Sequence, residues 1–164
     1  HYGLILDFTA WENVAFGYFN EPEYQKNALF MDNDAIRADT EKKMAKFDVR
    51  PPIPKLPAKS FSGGKQQKIV IAKWLLRDCD ILFFDEPTRG IDIGAKAEIY
   101  KLLQNLAAQG KSIVVISSEL PEVLRLSHRV IVMCEGRITG ELDGKTATQE
   151  SIMTLATQRQ AKAA

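Results

Sequence analysis

The sequence is poor in the residues that build cross-linked or metal-held scaffolds: two cysteines, Cys79 and Cys134, and two histidines in 164 residues. That scarcity excludes a disulfide framework and a zinc-ligand spacing, so reduced cysteines of a cytosolic protein are expected. A dominant charge is lacking too, since 22 Lys plus Arg stand against 21 Asp plus Glu. The resulting +1 gives no sequence-wide basic field for holding nucleic acid. Long hydrophobic runs are missing: Ile113–Ile116 and Val130–Met133 fall far short of the ~20 residues that span a bilayer. The chain itself is therefore not expected to cross a membrane. It begins at His1 without a charged-then-apolar leader, which reads as a piece of a longer polypeptide. What is present is a globular composition, 45% hydrophobic and 26% charged, at a length for one domain or part of one.

The composition changes near Arg50–Pro57, where Pro51, Pro52, Pro54 and Pro57 cannot continue a helix and mark an extended connector. Before it, 4–18 mixes apolar and turn residues. Positions 33–47 place Ile36, Thr40, Met44 and Phe47 at helical spacing. After it, 63–76 is a predicted helix with Ile69, Ala72, Leu75 and Leu76 on one side, and Ile81–Phe84 is an apolar run suited to a strand buried on both faces. A helix over 94–108 follows, with Ile99, Leu102, Leu103 and Leu106 on its buried stripe and Gly110 beyond its end. Then come a second buried strand over 112–117, a short helix from Pro121 to about Ser127, a strand over 129–133, a turn at Glu135-Gly136, a returning strand over 137–140 and a helix over 148–157. This order predicts an α/β fold with a parallel sheet, preceded by a small helical part.

The strongest chemical constellation is Ile81-Leu82-Phe83-Phe84-Asp85-Glu86-Pro87-Thr88. An apolar strand ending in two carboxylates puts them at the carboxyl edge of a parallel sheet, where ligands of open α/β sheets bind. Asp85 can orient a Mg²⁺ with its waters, and Glu86 is placed to polarise an attacking water. This is the Walker B arrangement of P-loop nucleotide hydrolases. Some twenty residues earlier, Phe61-Ser62-Gly63-Gly64-Lys65-Gln66 opens a helix. Ser62 can cap that helix, and Gly63 and Gly64 let backbone N–H groups approach an anion at its positive end.

With these residues in view, the chain resembles the nucleotide-binding subunits of ATP-binding cassette (ABC) transporters, whose signature, Walker B and D-loop follow one another in this order. The D-loop equivalent is Gly90-Ile91-Asp92. The run Ser62–Lys68 leading into Ile71-Ala72-Lys73-Trp74-Leu75, the run Asp85–Lys96, the run Ser117–Val123, and Gly3-Leu4-Ile5-Leu6 before Glu12-Asn13 resemble the second cassette of bacterial monosaccharide importers. The resemblance implies a partial, RecA-like P-loop NTPase core over 78–164, following a helical subdomain with the signature helix over 1–77. It further implies ATP and Mg²⁺ as cofactors and uptake of a ribose-, xylose- or galactose-type sugar at the cytoplasmic face of the membrane. The implied partners are the other cassette of the same polypeptide, transmembrane permease subunits and, indirectly, a periplasmic sugar-binding protein. By the same resemblance, Ser62, Gly63, Gly64, Lys65 and Gln66 would face the γ-phosphate of ATP bound to the partner cassette. Asp85 would hold Mg²⁺ through water, Glu86 and Ser118 would serve hydrolysis, and Asp92 would join the two halves.

Three departures bear on that assignment. Phe61 stands for the usual leucine of the signature and Lys65 for the asparagine usual in this subgroup. Ser118 stands where most ABC cassettes carry a switch histidine, and a hydroxyl cannot hold a γ-phosphate as an imidazole does. No Gly-x-x-x-x-Gly-Lys-[Ser/Thr] loop occurs; Gly140–Thr146 is one residue short and carries two acids where phosphates would lie. Structural roles are predicted for His128, Trp11 and Trp74. A soluble ABC ATPase of DNA repair or chromosome maintenance shares the same motifs and is the rival reading. The near-neutral charge and the wording around Lys73-Trp74 argue against it.

Overall fold

The computed structural model describes residues 3–18, 20–27, 29–75 and 79–158. They fall into two compact units, the first reaching Leu82 and including Thr88–Ser112, the second comprising Phe83–Pro87 and the chain from Ile113. The division expected between residues 77 and 78 falls outside the described residues, as does Leu76.

In the first unit, α1 (Ala10–Ala15) occupies the middle of the stretch that showed no full helical period. A six-residue helix is too short to display one, and it is fixed by its cap instead. The Thr9 hydroxyl accepts from Glu12 N while Thr9 N donates to the Glu12 carboxylate, a reciprocal capping box. The Thr9 bonds hold the Glu12 carboxyl below the usual carboxylate range. Asn13, 1% exposed, takes Ile5 N on its Oδ1 and donates to the carbonyls of Ile5, Phe8 and Thr9. The irregular segment ahead of α1 is thus organised around one buried amide.

A small antiparallel pair, β1 (Gln25–Asn27) and β2 (Phe30–Met31), leads into α2 (Asn33–Lys46). Asp32 caps α2, and Ile36, Thr40, Met44 and Phe47 are buried as their spacing predicts. The polar Thr40 is satisfied by donating to Ile36 O at 2.8 Å. The helix α3 (Gly63–Trp74) brings Ile69 and Ala72 into one cluster with Val14 and Met44, with Leu75 packed partly against it. The last helix of this unit, α4 (Ile93–Ala108), buries Ile99, Leu103 and Leu106 and ends before Gly110, whose φ of 90° reverses the chain. Trp11 lies under the Arg37 guanidinium, whereas Trp74 is 59% exposed, contrary to a packed role.

The strands β3 (Ile81–Asp85) and β4 (Ser112–Ile116) pair with each other. Ser112 N donates to Asp80 O at their amino ends and Glu86 N to Ile116 O at their carboxyl ends, so the two run parallel. The expectation of β4 as a second buried strand is corrected, since none of its residues is buried and Ile116 is 54% exposed. The expectation of β3 buried on both faces is corrected as well. Leu82 is buried, but Ile81 is 59% and Phe83 72% exposed, because strand alternation sends them to a face that nothing covers among the described residues.

The second unit continues with α5 (Leu120–Leu126), the hairpin β5 (Arg129–Cys134) and β6 (Arg137–Asp143), and α6 (Gln149–Ala156). Glu135 and Gly136, both at positive φ, make the expected two-residue turn. β6 runs three residues beyond the predicted 137–140 and carries the near-miss phosphate loop. Its glycines serve packing: a Cβ on Gly140 would stand 2.7 Å from the Leu155 side chain, and one on Gly144 2.0 Å from Ser127 O. Val130, Val132 and Ile152 form the core beneath.

Candidate functional site

The predicted site residues form two groups in different compact units. In the first unit, Ser62 sits at the N-cap of α3 with extended backbone, but its hydroxyl makes no capping bond; the expectation that it caps the helix is corrected. Ser62 and Gly63 are exposed at the positive end of a twelve-residue helix, while Gly64 behind them is buried. Gln66 turns back and donates to Ala58 O and Phe61 O, bracing the turn before the helix, while Lys65 is half-buried in the first turn. Asp92 caps α4 through Ala95 N at 2.9 Å.

The two glycines of the motif do different things. A Cβ on Gly64 would fall 2.5 Å from the Ala95 Cβ, so glycine there is what lets the starts of α3 and α4 touch. A Cβ on Gly63 would meet nothing nearer than Gly90 O at 3.9 Å, so its bareness serves nothing inside the unit. Lys68, 5% exposed, ties the same helices lower down through Glu98 at 2.8 Å. Gly64→Ala is therefore expected to destabilise the full-length protein by about 1–3 kcal/mol through overpacking. Gly63→Ala should keep or slightly raise stability, as Ala does in a helix, while weakening any anion bound there. Urea denaturation of both variants checks the contrast, and equal losses would refute it.

In the second unit, Asp85 ends β3 exposed and Glu86 follows, half-buried, with φ 48°. That left-handed backbone costs a non-glycine residue roughly 1–2 kcal/mol. Two contacts hold it: Glu86 N donates to Ile116 O at 2.8 Å, and Glu86 Oε1 accepts from Ser118 N at 2.8 Å. Ser118 itself is exposed just past β4. The predicted acid and the switch position are thus brought together, through the Ser118 main chain rather than its hydroxyl. Sequence reasoning passed over two neighbours. Ser117 Oγ accepts from Glu119 N at 3.0 Å and donates to Glu122 Oε2 at 2.5 Å, and Glu122 is 1% exposed. A Ser two residues before a Glu that opens a helix is the available signal for such a turn.

Chemically, a free carboxylate beside one anchored and oriented carboxylate at the carboxyl end of a parallel strand suits a hydrated cation next to an activated water. Among the described residues no group of three or more His, Cys, Asp or Glu is placed to hold a metal ion, so any Mg²⁺ here needs waters and a ligand of its own. No helix among them is long and apolar enough to cross a membrane.

These features define a cassette of the ABC class. The family model for ABC transporters matches residues 3–89, and the chain belongs to that family. It is 59% identical over 160 residues to a ribose/galactose/methyl galactoside import ATP-binding protein of Burkholderia lata, covering 98% of this chain and 31% of that protein. It is 47% identical over 154 residues to the ribose import ATP-binding protein of Clostridium perfringens, covering 94% and 30%. The chain thus spans about a third of the length of these curated relatives. Among solved structures, a dimeric bacterial ABC transporter cassette matches with TM-score 0.67 and 26% identity, over 85% of this chain and 58% of that one. A metal-chelate type ABC transporter in an inward-facing conformation shares the fold at TM-score 0.77, with 17% identity, over 99% of this chain and 66% of that one. The fold is accordingly α/β with the parallel strands of a P-loop NTPase cassette.

Proposed function

We propose that this chain is part of the second ATP-binding cassette of a bacterial sugar importer and that, in the complete protein, it couples ATP hydrolysis to uptake of a ribose-, xylose- or galactose-type monosaccharide. The observation that carries the reading is Glu86, held in left-handed backbone with its carboxylate anchored on Ser118 N, directly after Asp85 at the end of β3. The import names of the relatives support the choice of sugar as cargo.

The roles follow from the local chemistry. Asp85, exposed at the end of β3, suits a hold on Mg²⁺ through water; when bound, the cation offsets phosphate charge. Glu86 orients and deprotonates the hydrolytic water. Ser62, Gly63 and Gly64, at the start of α3 with Ser62 and Gly63 exposed and no Cβ in the way at Gly63, contact the γ-phosphate of ATP carried by the partner cassette. Lys65 and Gln66 support that helix start. Asp92, capping α4, holds the segment through which the two cassettes join. Residues 1–77 serve as the helical subdomain and 78–164 as the distal half of the core. The partners are the other cassette of the same polypeptide, permease subunits in the membrane and, through them, a periplasmic sugar-binding protein. The cassette works at the cytoplasmic face.

The full-length protein reconstituted with its permease in proteoliposomes should take up ribose or galactose only with ATP and Mg²⁺ present. ATP-independent uptake, or none of either sugar while xylose also fails, would reject the reading. The 164-residue chain by itself lacks the backbone cradle and lysine of a phosphate loop. It is expected to bind ATP only weakly and not to turn it over, and micromolar affinity by calorimetry would contradict this.

A further inference from the structure

We propose that Glu122 and Ser117 are positioning residues for Glu86, acting through the main chain of Ser118; the inference rests on the hydrolytic role given to Glu86 above. A carboxylate in the first turn of a short helix has no need to be buried. At the surface it would already interact favourably with the helix N-terminus. Glu122 is nevertheless 1% exposed, and burial of a carboxylate is costly unless it is hydrogen-bonded. It receives the Ser117 hydroxyl at 2.5 Å.

That hydroxyl is engaged as an acceptor as well, from Glu119 N at 3.0 Å. Both ends of the Ser117–Glu119 turn are thereby tied to one buried acid, and the residue between them is Ser118, whose N–H points at Glu86 Oε1. The start of α5 does not require the arrangement. Glu122 N and Val123 N already bond Glu119 O, and no side chain caps the helix. What the Glu122–Ser117 bond adds is a fixed direction for a single amide. Glu86 needs that direction, because a left-handed backbone anchored only at its own N–H leaves the carboxylate free to swing off line. Positioning of this kind acts on the rate of the chemical step rather than on nucleotide affinity.

The test uses the full-length protein with the other cassette's catalytic carboxylate removed, so that turnover reports this cassette alone. S117A is expected to lower kcat about tenfold with KM for ATP unchanged, a loss beyond what its lowered thermal midpoint accounts for, since it also strips a donor from the buried Glu122. S117T, which keeps the hydroxyl, should return kcat to within about twofold of the unsubstituted protein. In an E86Q background S117A should add no further loss, since the group it positions is already disabled. E122Q, whose amide oxygen still accepts from Ser117, should lose less than S117A and serves as the fold-retaining probe of the acid. An unchanged kcat in S117A beside a disabled E86Q overturns the positioning role alone. So does a fall in kcat that tracks the thermal midpoint, one that S117T fails to relieve, or an equal further loss in the E86Q background. If E86Q itself leaves turnover intact, the reading of Glu86 fails and this inference fails with it.

Discussion

Glu86→Gln in the full-length protein is expected to slow single-site ATP hydrolysis by about 10²-fold or more while ATP binding is retained. The geometry makes the substitution unusually clean. Glu86 Oε1 is an acceptor for Ser118 N at 2.8 Å, and a glutamine oxygen accepts that bond as well. The backbone anchor to Ile116 O does not involve the side chain at all. Shape, loop and left-handed backbone are therefore kept, and what is lost is the ability to take a proton from water. Of the other acids that could be offered for this role, Glu98 is already engaged. Glu98 pairs with the buried Lys68 at 2.8 Å. Glu98→Gln should accordingly leave hydrolysis near its starting value, apart from any stability cost of stranding Lys68. Single-turnover measurements with the other site disabled decide the matter: an undiminished rate in Glu86→Gln removes it from the chemistry.

The parts of this site legible in the sequence were those written in consecutive residues. Asp85-Glu86 after an apolar run and Ser62-Gly63-Gly64 at a helix start are patterns whose meaning lies within a few positions. Helices α2, α3 and α4 were legible because their burial follows one period over twelve or more residues. What escaped depends on contacts that no local pattern encodes. That Gly64 serves the approach of Ala95 while Gly63 does not is a fact about two helices thirty residues apart in sequence. That Ser118 acts through its N–H could not be read from a serine standing in place of a histidine, since residue type reports side chains and not amides. The outer face of β3 failed in the opposite sense. Its continuous apolar run is the pattern of a strand covered on both sides, yet Ile81 and Phe83 are exposed among the described residues. Composition records what a strand is suited to touch, not what a given stretch of chain supplies. The capping box at Thr9 and Glu12 was written plainly enough, but in a six-residue helix it competes with no periodic signal that would draw attention to it.

Ser118→His is expected to raise, by about tenfold or more, the residual hydrolysis at the composite site that uses this cassette's own phosphate loop, because a potentially cationic contact in a water-excluded site stabilises the transition state by several kcal/mol. Ser118 follows Glu86 by 32 residues and touches it directly, so the position has not drifted from the acid through a shifted loop. The contact is made by the amide of residue 118, which every residue but proline supplies. An imidazole can therefore be introduced without releasing Glu86. The serine side chain is exposed, which gives the ring room to reach toward the phosphate. With serine present, Glu86 is oriented but the γ-phosphate lacks that partner, and this site is expected to hold ATP or hydrolyse it slowly while the other site carries most of the turnover. The measurement is ATPase activity of the full-length protein with the other site disabled, before and after the substitution. A clear rise supports functional asymmetry between the sites. Vigorous turnover with serine in place would mean that the hydroxyl and an ordered water suffice, and the asymmetry would be refuted.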